Sequence, residues 1–161
     1  MGKRRVTAEL ERLYAERYGK FLRVSAAIVG NEPGARDAVQ DGFANALRAA
    51  GEFRGETEAV EGWLWRIVVR AALAVRRRQI AIVDADDFDF GADDAATDDI
   101  GVRGWIAALP ERQRLAVFLR YYADLDYRAI AAALDVEVGT VSATLSQAHT
   151  ALRRQLKGVE L

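Results

Sequence analysis

The chain has 161 residues, of which 51% are hydrophobic, so it is long enough for one ordinary domain or two small ones with packed cores. It contains no cysteine, which excludes a disulfide framework and a thiolate metal site. The basic N-terminus is not followed by an apolar run, and no later run is long enough to span a bilayer. We therefore expect a soluble, cytoplasmic protein with no membrane insertion.

The net charge of −1 at pH 7 conceals three blocks of different sign. Residues 1–80 carry 15 Lys+Arg against 10 Asp+Glu, a net charge of +5, and residues 102–161 carry 8 against 6, a net charge of +2. Residues 81–101 carry 8 acidic residues and no basic one. The pattern predicts two basic domains, at 1–80 and 102–161, joined by an acidic linker at 81–101.

The acidic segment has closely spaced carboxylates, so a calcium-binding loop has to be considered. An EF-hand loop that begins at Asp86 would place Gly91 at its sixth position. Phe88 and Phe90 would then occupy the third and fifth positions, where neither can ligate a cation. Scattered carboxylates could still bind cations weakly, but we expect no metal site and a flexible, solvated tether that repels free DNA.

Helical spacing of apolar residues dominates the first domain. The first helix is predicted to begin after Thr7, a suitable N-cap, and to end at Gly30. A turn at 31–34 precedes a second helix over 35–50, with Gly51 as the predicted C-cap.

The second helix has a buried stripe made largely of small residues, which favours close helix packing. Gly42 lies in this stripe and costs about 1 kcal/mol of helix propensity relative to Ala, which indicates close backbone contact or a weak point. The opposite face is polar, and from the sequence alone it is a solvated helix face. It carries Asp37, Gln40, Asp41, Asn45 and Arg48.

A loop over 53–61 leads into a third long helix, in which Trp63 is predicted to be a core anchor. Aromatic and guanidinium groups alternate on or near its outer face, an arrangement that suits stacking on unpaired bases and neutralisation of phosphate. The alternative is that the consecutive arginines merely favour a helix C-terminus. The outer residues are Trp65, Arg66, Val69, Arg70, Arg76, Arg77 and Arg78.

The second domain begins near Val102, with Trp105 packed onto the helices after it and Pro110 at the first turn of the next helix. Arginines on that helix are predicted to face solvent or phosphate; they are Arg112, Arg114 and Arg120.

The stretch from Asp126 to Arg154 has the spacing of a helix-turn-helix. Asp126 can cap the first helix, residues 135–138 form the turn, and a second helix follows with its buried stripe at Val141, Leu145, Ala148, Leu152 and Leu156. The opposite face is small or polar, as in a recognition helix that enters a major groove. The alternative is an ordinary helical hairpin whose polar face meets water. The face carries Thr140, Ser142, Ala143, Ser146, Gln147, Thr150 and Arg154.

Motifs of catalysis are missing from the sequence. It has no Walker A motif, no Gly-rich strand-to-helix turn and no HExxH. The only histidine, His149, lies beside a buried helical stripe without a recognisable partner, and we interpret it as a helix-surface or interface residue. We expect no catalytic residue, no cofactor and no enzymatic activity.

Several stretches of the sequence resemble a known protein family. LPERQR at 109–114 and LRYYADLDYRAIAAALDVEVGTV at 119–141 closely resemble the C-terminal promoter-binding domain of bacterial RNA polymerase sigma factors of the extracytoplasmic-function (ECF) group, in the sigma-70 superfamily. DAVQDGFANALRA at 37–49, FRGE at 53–56 and WLWRIVVRAAL at 63–73 resemble the other domain of that family. The resemblance covers nearly the whole chain apart from its acidic middle.

The resemblance implies an all-α protein of two small helical domains, the second with a helix-turn-helix. It implies an initiation factor that binds RNA polymerase core, directs it to promoter DNA and assists strand separation, and whose usual further partner is an anti-sigma factor. By the same resemblance, the polar face of the second helix docks on polymerase, and Phe53, Arg54 and Glu56 capture a base flipped out of the downstream promoter element. The outer face of the third helix and the recognition helix contact DNA.

Two departures from the family pattern limit these expectations. Arg70 and Ala74 stand where the family usually has Asn and Asp. The recognition helix has no Lys or Arg before Arg153, so we expect weak DNA binding by the second domain alone. The alternative function is a non-initiating sigma-like regulator that titrates an anti-sigma factor or represses by binding DNA.

Overall fold

The computed structural model of the protein describes residues 2–82 and 100–159. Within these ranges the chain forms seven α-helices and no strand, which confirms the all-α expectation. Most of the predicted acidic linker, residues 83–99, lies outside the described residues. The helices are α1 (Lys3–Val29), α2 (Glu32–Ala49), α3 (Val60–Ile82), α4 (Ile100–Ala107), α5 (Glu111–Tyr121), α6 (Tyr127–Leu134) and α7 (Val138–Val159), with a 3₁₀ turn at Thr57–Ala59.

A turn separates α1 from α2 as predicted, but it is shorter than the predicted span of residues 31–34, because α2 begins at Glu32. Gly30 ends α1 at φ 89°, a left-handed conformation that glycine adopts without strain, and its N–H donates to the carbonyl of Ala26 at 2.8 Å. The Asn31 side chain caps α2 by accepting from the N–H of Gly34 at 2.8 Å.

Two further predicted helix ends are wrong. The first helix begins at Lys3, before Thr7, and the Thr7 hydroxyl donates to the carbonyl of Lys3 inside the helix instead of capping it. The second helix ends at Ala49 with Ala50 as its cap in right-handed helical conformation, so Gly51 is not the cap.

The core of the first domain depends on close approach between α2 and α3. A Cβ added at Gly42 would lie 2.7 Å from Val68 Cγ2 and 3.0 Å from Val68 Cα, which confirms the expected backbone contact. Phe21 of α1 stacks on Trp65 of α3, with ring centroids 4.1 Å apart, and meets Phe43 of α2 edge-on at 5.2 Å. These three aromatic rings therefore form one cluster that joins α1, α2 and α3.

The second domain contains the predicted helix-turn-helix. The Asp126 carboxylate caps α6 by accepting from the N–H of Ala129 at 2.8 Å, as expected. Asp135 ends α6 in a left-handed conformation, with φ 57°, and its N–H donates to Ala131. The buried stripe of α7 ends earlier than predicted, because Leu156 is 53% exposed.

The two domains pack on each other through α3 and α6. A Cβ added at Gly62 of α3 would lie 3.3 Å from Ala129 Cβ of α6, so the two backbones approach closely. Buried side chains of both domains form one contiguous hydrophobic cluster. The α3 helix therefore lies between its own domain and the helix-turn-helix.

Candidate functional site

The polar face of α2 is fully available at the surface. All five predicted docking residues, Asp37, Gln40, Asp41, Asn45 and Arg48, are exposed. The small buried residues on the opposite side hold this face in place against α1 and α3.

Two contacts position polar and charged side chains of this face. Arg48 donates to the Asn45 side-chain oxygen at 2.6 Å, and the Arg78 guanidinium of α3 lies 4.0 Å from the Asp41 carboxylate. Leu47 continues the apolar spacing of α2 but is 42% exposed, two turns beyond Gln40 on the same side of the helix. The sequence missed this apolar residue because it lies at the edge of a wide stripe.

The loop after α2 forms a cleft of about 240 Å³ lined by Ala49, Glu52, Phe53, Arg54 and Trp63. Phe53 is 6% exposed and packs against the Trp63 ring, with centroids 5.0 Å apart. The Arg54 guanidinium donates to the carbonyls of Gly51 and Phe53, both at 3.1 Å. The structure therefore brings Phe53 and Arg54 together at one cleft.

Three of the cleft's features were not predicted. Glu56 is exposed and lies outside the cleft lining, whereas Glu52 and Trp63 belong to it. A Cβ at Gly55 would lie 2.9 Å from Phe53 Cζ, so any larger residue there would have to displace the Phe53 ring.

The predicted roles of the two tryptophans of α3 are wrong. Trp65, which we expected on the outer face, is completely buried against Phe21. Trp63, the expected core anchor, is only partly buried. Val69 is buried as well, because the apolar stripe of α3 is wide enough to include two neighbouring residues in a turn.

Basic side chains of α3 face the second domain. Arg66 and Arg70 both approach the Asp135 carboxylate, at 3.8 Å and 3.2 Å, and Arg76 pairs with Glu111 at the start of α5. Arg77 is exposed at the end of the helix and donates to the carbonyl of Leu73 at 3.3 Å.

The predicted recognition face of α7 is solvent-exposed except at Thr140, which is half-buried. Val141, Leu145 and Ala148 are buried on the other side, so the register of the helix agrees with the expectation. The Thr150 hydroxyl donates to the Ser146 carbonyl at 3.0 Å. The remaining recognition-face residues, Ser142, Ala143, Ser146, Gln147, Thr150 and Arg154, form a continuous polar surface.

Two side chains of the second domain have partners that the sequence did not reveal. Arg114 was expected at solvent or phosphate but is 9% exposed, and it donates to the Ala107 carbonyl at 3.1 Å. Burial lowers the pKa of Arg114, nearby Arg76 adds to this, and Glu111 opposes it. The ring nitrogen Nε2 of His149 lies 2.7 Å from the Tyr121 hydroxyl, which joins α7 to the end of α5.

No single described helix is long and apolar enough to cross a membrane, and among the described helices only the pair Tyr127–Leu134 and Val138–Gly158, bent by 99°, has the length and composition to do so jointly.

Comparison with known proteins identifies the family. The family model for Sigma-70 region 2 matches residues 13–80, and that for Sigma-70, region 4, matches residues 103–152. The RNA polymerase sigma-H factor of Pseudomonas aeruginosa is 32% identical over 157 residues, covering 86% of this chain and 81% of that protein. The chain belongs to the sigma-70 family of sigma factors. It is a transcription initiation factor, and sigma factors are not enzymes.

Further relatives place this sigma factor in the ECF group. The ECF RNA polymerase sigma-E factor of Escherichia coli is 32% identical over 143 residues, covering 75% of this chain and 73% of that protein. RNA polymerase sigma factor SigV of Bacillus subtilis is 29% identical over 146 residues, covering 88% and 87%. The solved structure of CnrH in complex with the cytosolic domain of CnrY is 19% identical with a TM-score of 0.68, covering 92% and 88%, which shows the fold.

Proposed function

We propose that this sigma factor binds RNA polymerase core through the polar face of α2, directs it to specific promoters and assists strand separation in the cytoplasm, without catalysing a reaction. The proposal rests on one observation: the exposed polar α2 face and the exposed recognition face of α7 occur in one chain, in the order of regions 2 and 4. Asp37, Gln40, Asp41, Asn45 and Arg48 are the proposed polymerase contacts, with Leu47 as an apolar addition at their edge.

The cleft beside α2 is the proposed site for an unpaired base of the downstream promoter element. Trp63 offers a partly exposed ring for stacking, and Glu52 and Arg54 offer hydrogen-bonding groups at the same opening. Phe53 supports the Trp63 ring from inside and is too buried to stack on a base itself. Arg77 and Arg78, exposed at the end of α3, would neutralise phosphates of the same strand.

The α7 helix is the proposed reader of the upstream promoter element. Gln147 is exposed on its outer face and can pair bidentately with adenine, while Ser142 and Ser146 are short enough to admit the helix into a major groove. The lack of Lys and Arg before Arg153 means that this helix adds little phosphate affinity. Binding would then depend on polymerase, which presents both domains to one promoter at high effective concentration.

An anti-sigma factor is the proposed further partner. The similar protein CnrH was solved in complex with the cytosolic domain of a second protein, CnrY. The second candidate function, a non-initiating regulator, is favoured only by the weakly basic recognition helix.

In vitro transcription separates the two candidates. Purified core polymerase and the sigma factor are incubated with a set of genomic fragments, and defined transcripts that depend on the factor are the expected result. Asp41→Arg should reduce these transcripts and co-purification with core polymerase, because it reverses a charge on the proposed docking face. Glu11→Arg makes the same charge change at an exposed position of α1 and should have no effect. No transcripts from any fragment would favour the non-initiating regulator.

A further inference from the structure

The first turn of α1 carries consecutive basic residues that the family does not explain. Lys3, Arg4 and Arg5 are all exposed, and the turn contains no acidic residue. The helix macrodipole disfavours cations at this end of a helix, so these side chains do not serve the stability of α1. They precede residue 13, where the match to Sigma-70 region 2 begins. Another role is therefore needed for them.

The loop that forms the cleft lies directly beside this turn. A Cβ added at Gly51 would lie 3.8 Å from Lys3 Cδ, and the Arg54 guanidinium donates to the Gly51 carbonyl at 3.1 Å. A lysine and an arginine therefore meet at one loop residue, next to the opening of the cleft. We refer to Lys3, Arg4, Arg5 and Arg54 together as the basic patch.

Carboxylate partners are missing from the basic patch. None of its four residues forms an ion pair with a described carboxylate. Arg5 lies four residues before Glu9, but both carboxylate oxygens of Glu9 accept hydrogen bonds from Arg12. Glu52, the acidic residue of the cleft, is also unpaired with the patch among the described contacts. Cations collected in this way attract an anion from outside the chain.

We propose that the basic patch binds a backbone phosphate of the unpaired promoter strand, next to the nucleotide whose base enters the cleft. This inference rests on the proposed function, because it adds a phosphate site to the proposed base site. A base stacked on Trp63 and its neighbouring phosphate held by Lys3 and Arg54 combine the two interactions by which proteins bind single strands. The charges act on a strand that the cleft already holds, so they gain from its high effective concentration.

The arginines at the end of α3 cannot supply this phosphate contact. Arg77 follows Trp63 by almost four turns of α3, a distance of about 20 Å. A phosphate beside the captured nucleotide is therefore too far away for Arg77 to neutralise it. Lys3, in contrast, lies at the loop that forms the cleft.

The sign of the charge favours DNA over polymerase as the partner of the patch. The proposed docking face of α2 carries Asp37 and Asp41. A polymerase surface complementary to those carboxylates is basic, and it repels the patch. A DNA strand is a polyanion and attracts the patch whatever its sequence.

The first test measures the affinity of the full chain for unpaired DNA. The probe is a fluorescein-labelled oligothymidylate of about ten nucleotides, and its anisotropy is read at several salt concentrations. Lys3→Gln with Arg4→Gln should bind the probe about threefold to tenfold more weakly at low salt, because two exposed charge contacts are lost. The slope of log affinity against log salt should become shallower by about 0.7 for each phosphate contact removed. Glutamine is a good helix former, so α1 should stay folded.

The matched control is Arg23→Gln with Lys157→Gln. It also removes one arginine and one lysine, both exposed and neither in an ion pair among the described residues. Arg23 lies about 30 Å from Lys3 along α1, and Lys157 lies in the second domain. The control should keep the wild-type affinity within about twofold. Equal affinity of the patch variant and the control would overturn the proposal.

The second test locates the phosphate on a promoter. Promoter DNA with a pre-opened bubble carries one uncharged methylphosphonate linkage, which is moved one position at a time along the unpaired strand. Wild-type holoenzyme should lose affinity when this linkage adjoins the captured base. Holoenzyme with Lys3→Gln and Arg4→Gln should not respond to that same linkage, because the contact is already absent. If both proteins respond equally to every linkage, the patch contacts no phosphate and the proposal is wrong.

Further outcomes separate this inference from the proposed function. If Lys3→Gln with Arg4→Gln weakens co-purification with core polymerase and leaves affinity for the probe unchanged, the patch serves polymerase, and the inference fails while initiation stands. If no genomic fragment yields a transcript, the proposed initiation function fails. The oligothymidylate titration still decides the patch in that case, because it needs neither polymerase nor a promoter.

Discussion

At the scale of single residues, Gly42 sets the distance between α2 and α3. Gly42 lies so close to Val68 that there is no room for a Cβ, since the added atom would lie 3.0 Å from the Val68 backbone. The closer packing of α2 against α3 thus offsets the unfavourable helix propensity of glycine at this position. The same contact keeps the polar face of α2 at a fixed angle to α3.

Gly42→Ala is therefore expected to destabilise the protein, by about 1–3 kcal/mol, because α2 and α3 must move apart. Gly19→Ala is the matched control, since nothing lies within 4 Å of its added Cβ. That control should stabilise the protein by about 0.5–1 kcal/mol through helix propensity. Urea unfolding followed by circular dichroism measures both changes, and a stabilising Gly42→Ala would contradict the packing argument.

The two tryptophans of α3 give a second prediction, in which one substitution affects stability and the other affects DNA binding. Trp65→Ala should lower the free energy of unfolding by about 3–5 kcal/mol, because it removes a completely buried ring from the core. Trp63→Ala should leave folding largely intact and weaken binding of single-stranded downstream-element DNA by about 1–3 kcal/mol.

Unfolding curves and DNA titrations with the sigma factor bound to polymerase measure these two effects. Phe118→Ala, a partly buried aromatic change in the second domain, controls for non-specific loss of an aromatic ring. Unchanged affinity of Trp63→Ala for the unpaired strand would remove the cleft from the proposed DNA path.

At the scale of the elements, the periodicity of apolar residues predicted the helices well where one side is buried and the other is exposed to solvent. The α7 register was correct, because Val141, Leu145 and Ala148 repeat at steps of three and four. The α3 register was not, because α3 packs against α1, α2 and α6 and therefore has few positions that are clearly outside. A single sequence cannot show which side of such a helix meets a second domain.

The site residues were likewise predicted well only where they lie on a helix with one buried and one exposed side. The α2 and α7 faces were found from polar residues opposite a stripe, and both are exposed. Glu52 and Trp63 in the cleft were missed, because a cleft made by a loop and a helix end has no periodic signal. Asp135 was recognised only as part of a turn, since its left-handed conformation and its partners arise from tertiary contacts.

The α7 helix provides a prediction about sequence readout. Gln147→Ala should cost about 1–3 kcal/mol at one base pair of the upstream element and leave binding to other sequences nearly unchanged. Gln155→Ala changes the same residue type farther along α7 and should alter neither. Holoenzyme affinity across a library of upstream elements is the measurement. A uniform loss for Gln147→Ala would indicate that the helix serves affinity or a protein partner instead of base readout.

At the scale of the whole molecule, salt is expected to change the shape of the free chain. The inter-domain ion pairs of the described residues involve at least partly exposed side chains, and the Debye length falls from about 30 Å to about 3 Å between about 0.01 M and about 1 M salt. The radius of gyration from small-angle X-ray scattering should therefore increase over this range. A Gly62→Cys, Ala129→Cys variant, in which an oxidised disulfide joins α3 to α6, should keep its size, because an added Cβ at Gly62 would lie only 3.3 Å from Ala129 Cβ. A wild-type radius that does not respond to salt would mean that apolar contact alone holds the domains together.

The proposed docking face of α2 is exposed, whereas Arg66 and Arg70 lie beside the Asp135 carboxylate, and this difference bears on how the protein is distributed in a cell. Genomic DNA offers on the order of 10⁶–10⁹ non-specific sites, which would retain any chain whose arginines were free. The second domain, which has no Lys or Arg in α7 before Arg153, would be retained only weakly by such sites. The protein would thus reach polymerase before it reaches the chromosome, and its search for promoters would begin as part of the holoenzyme.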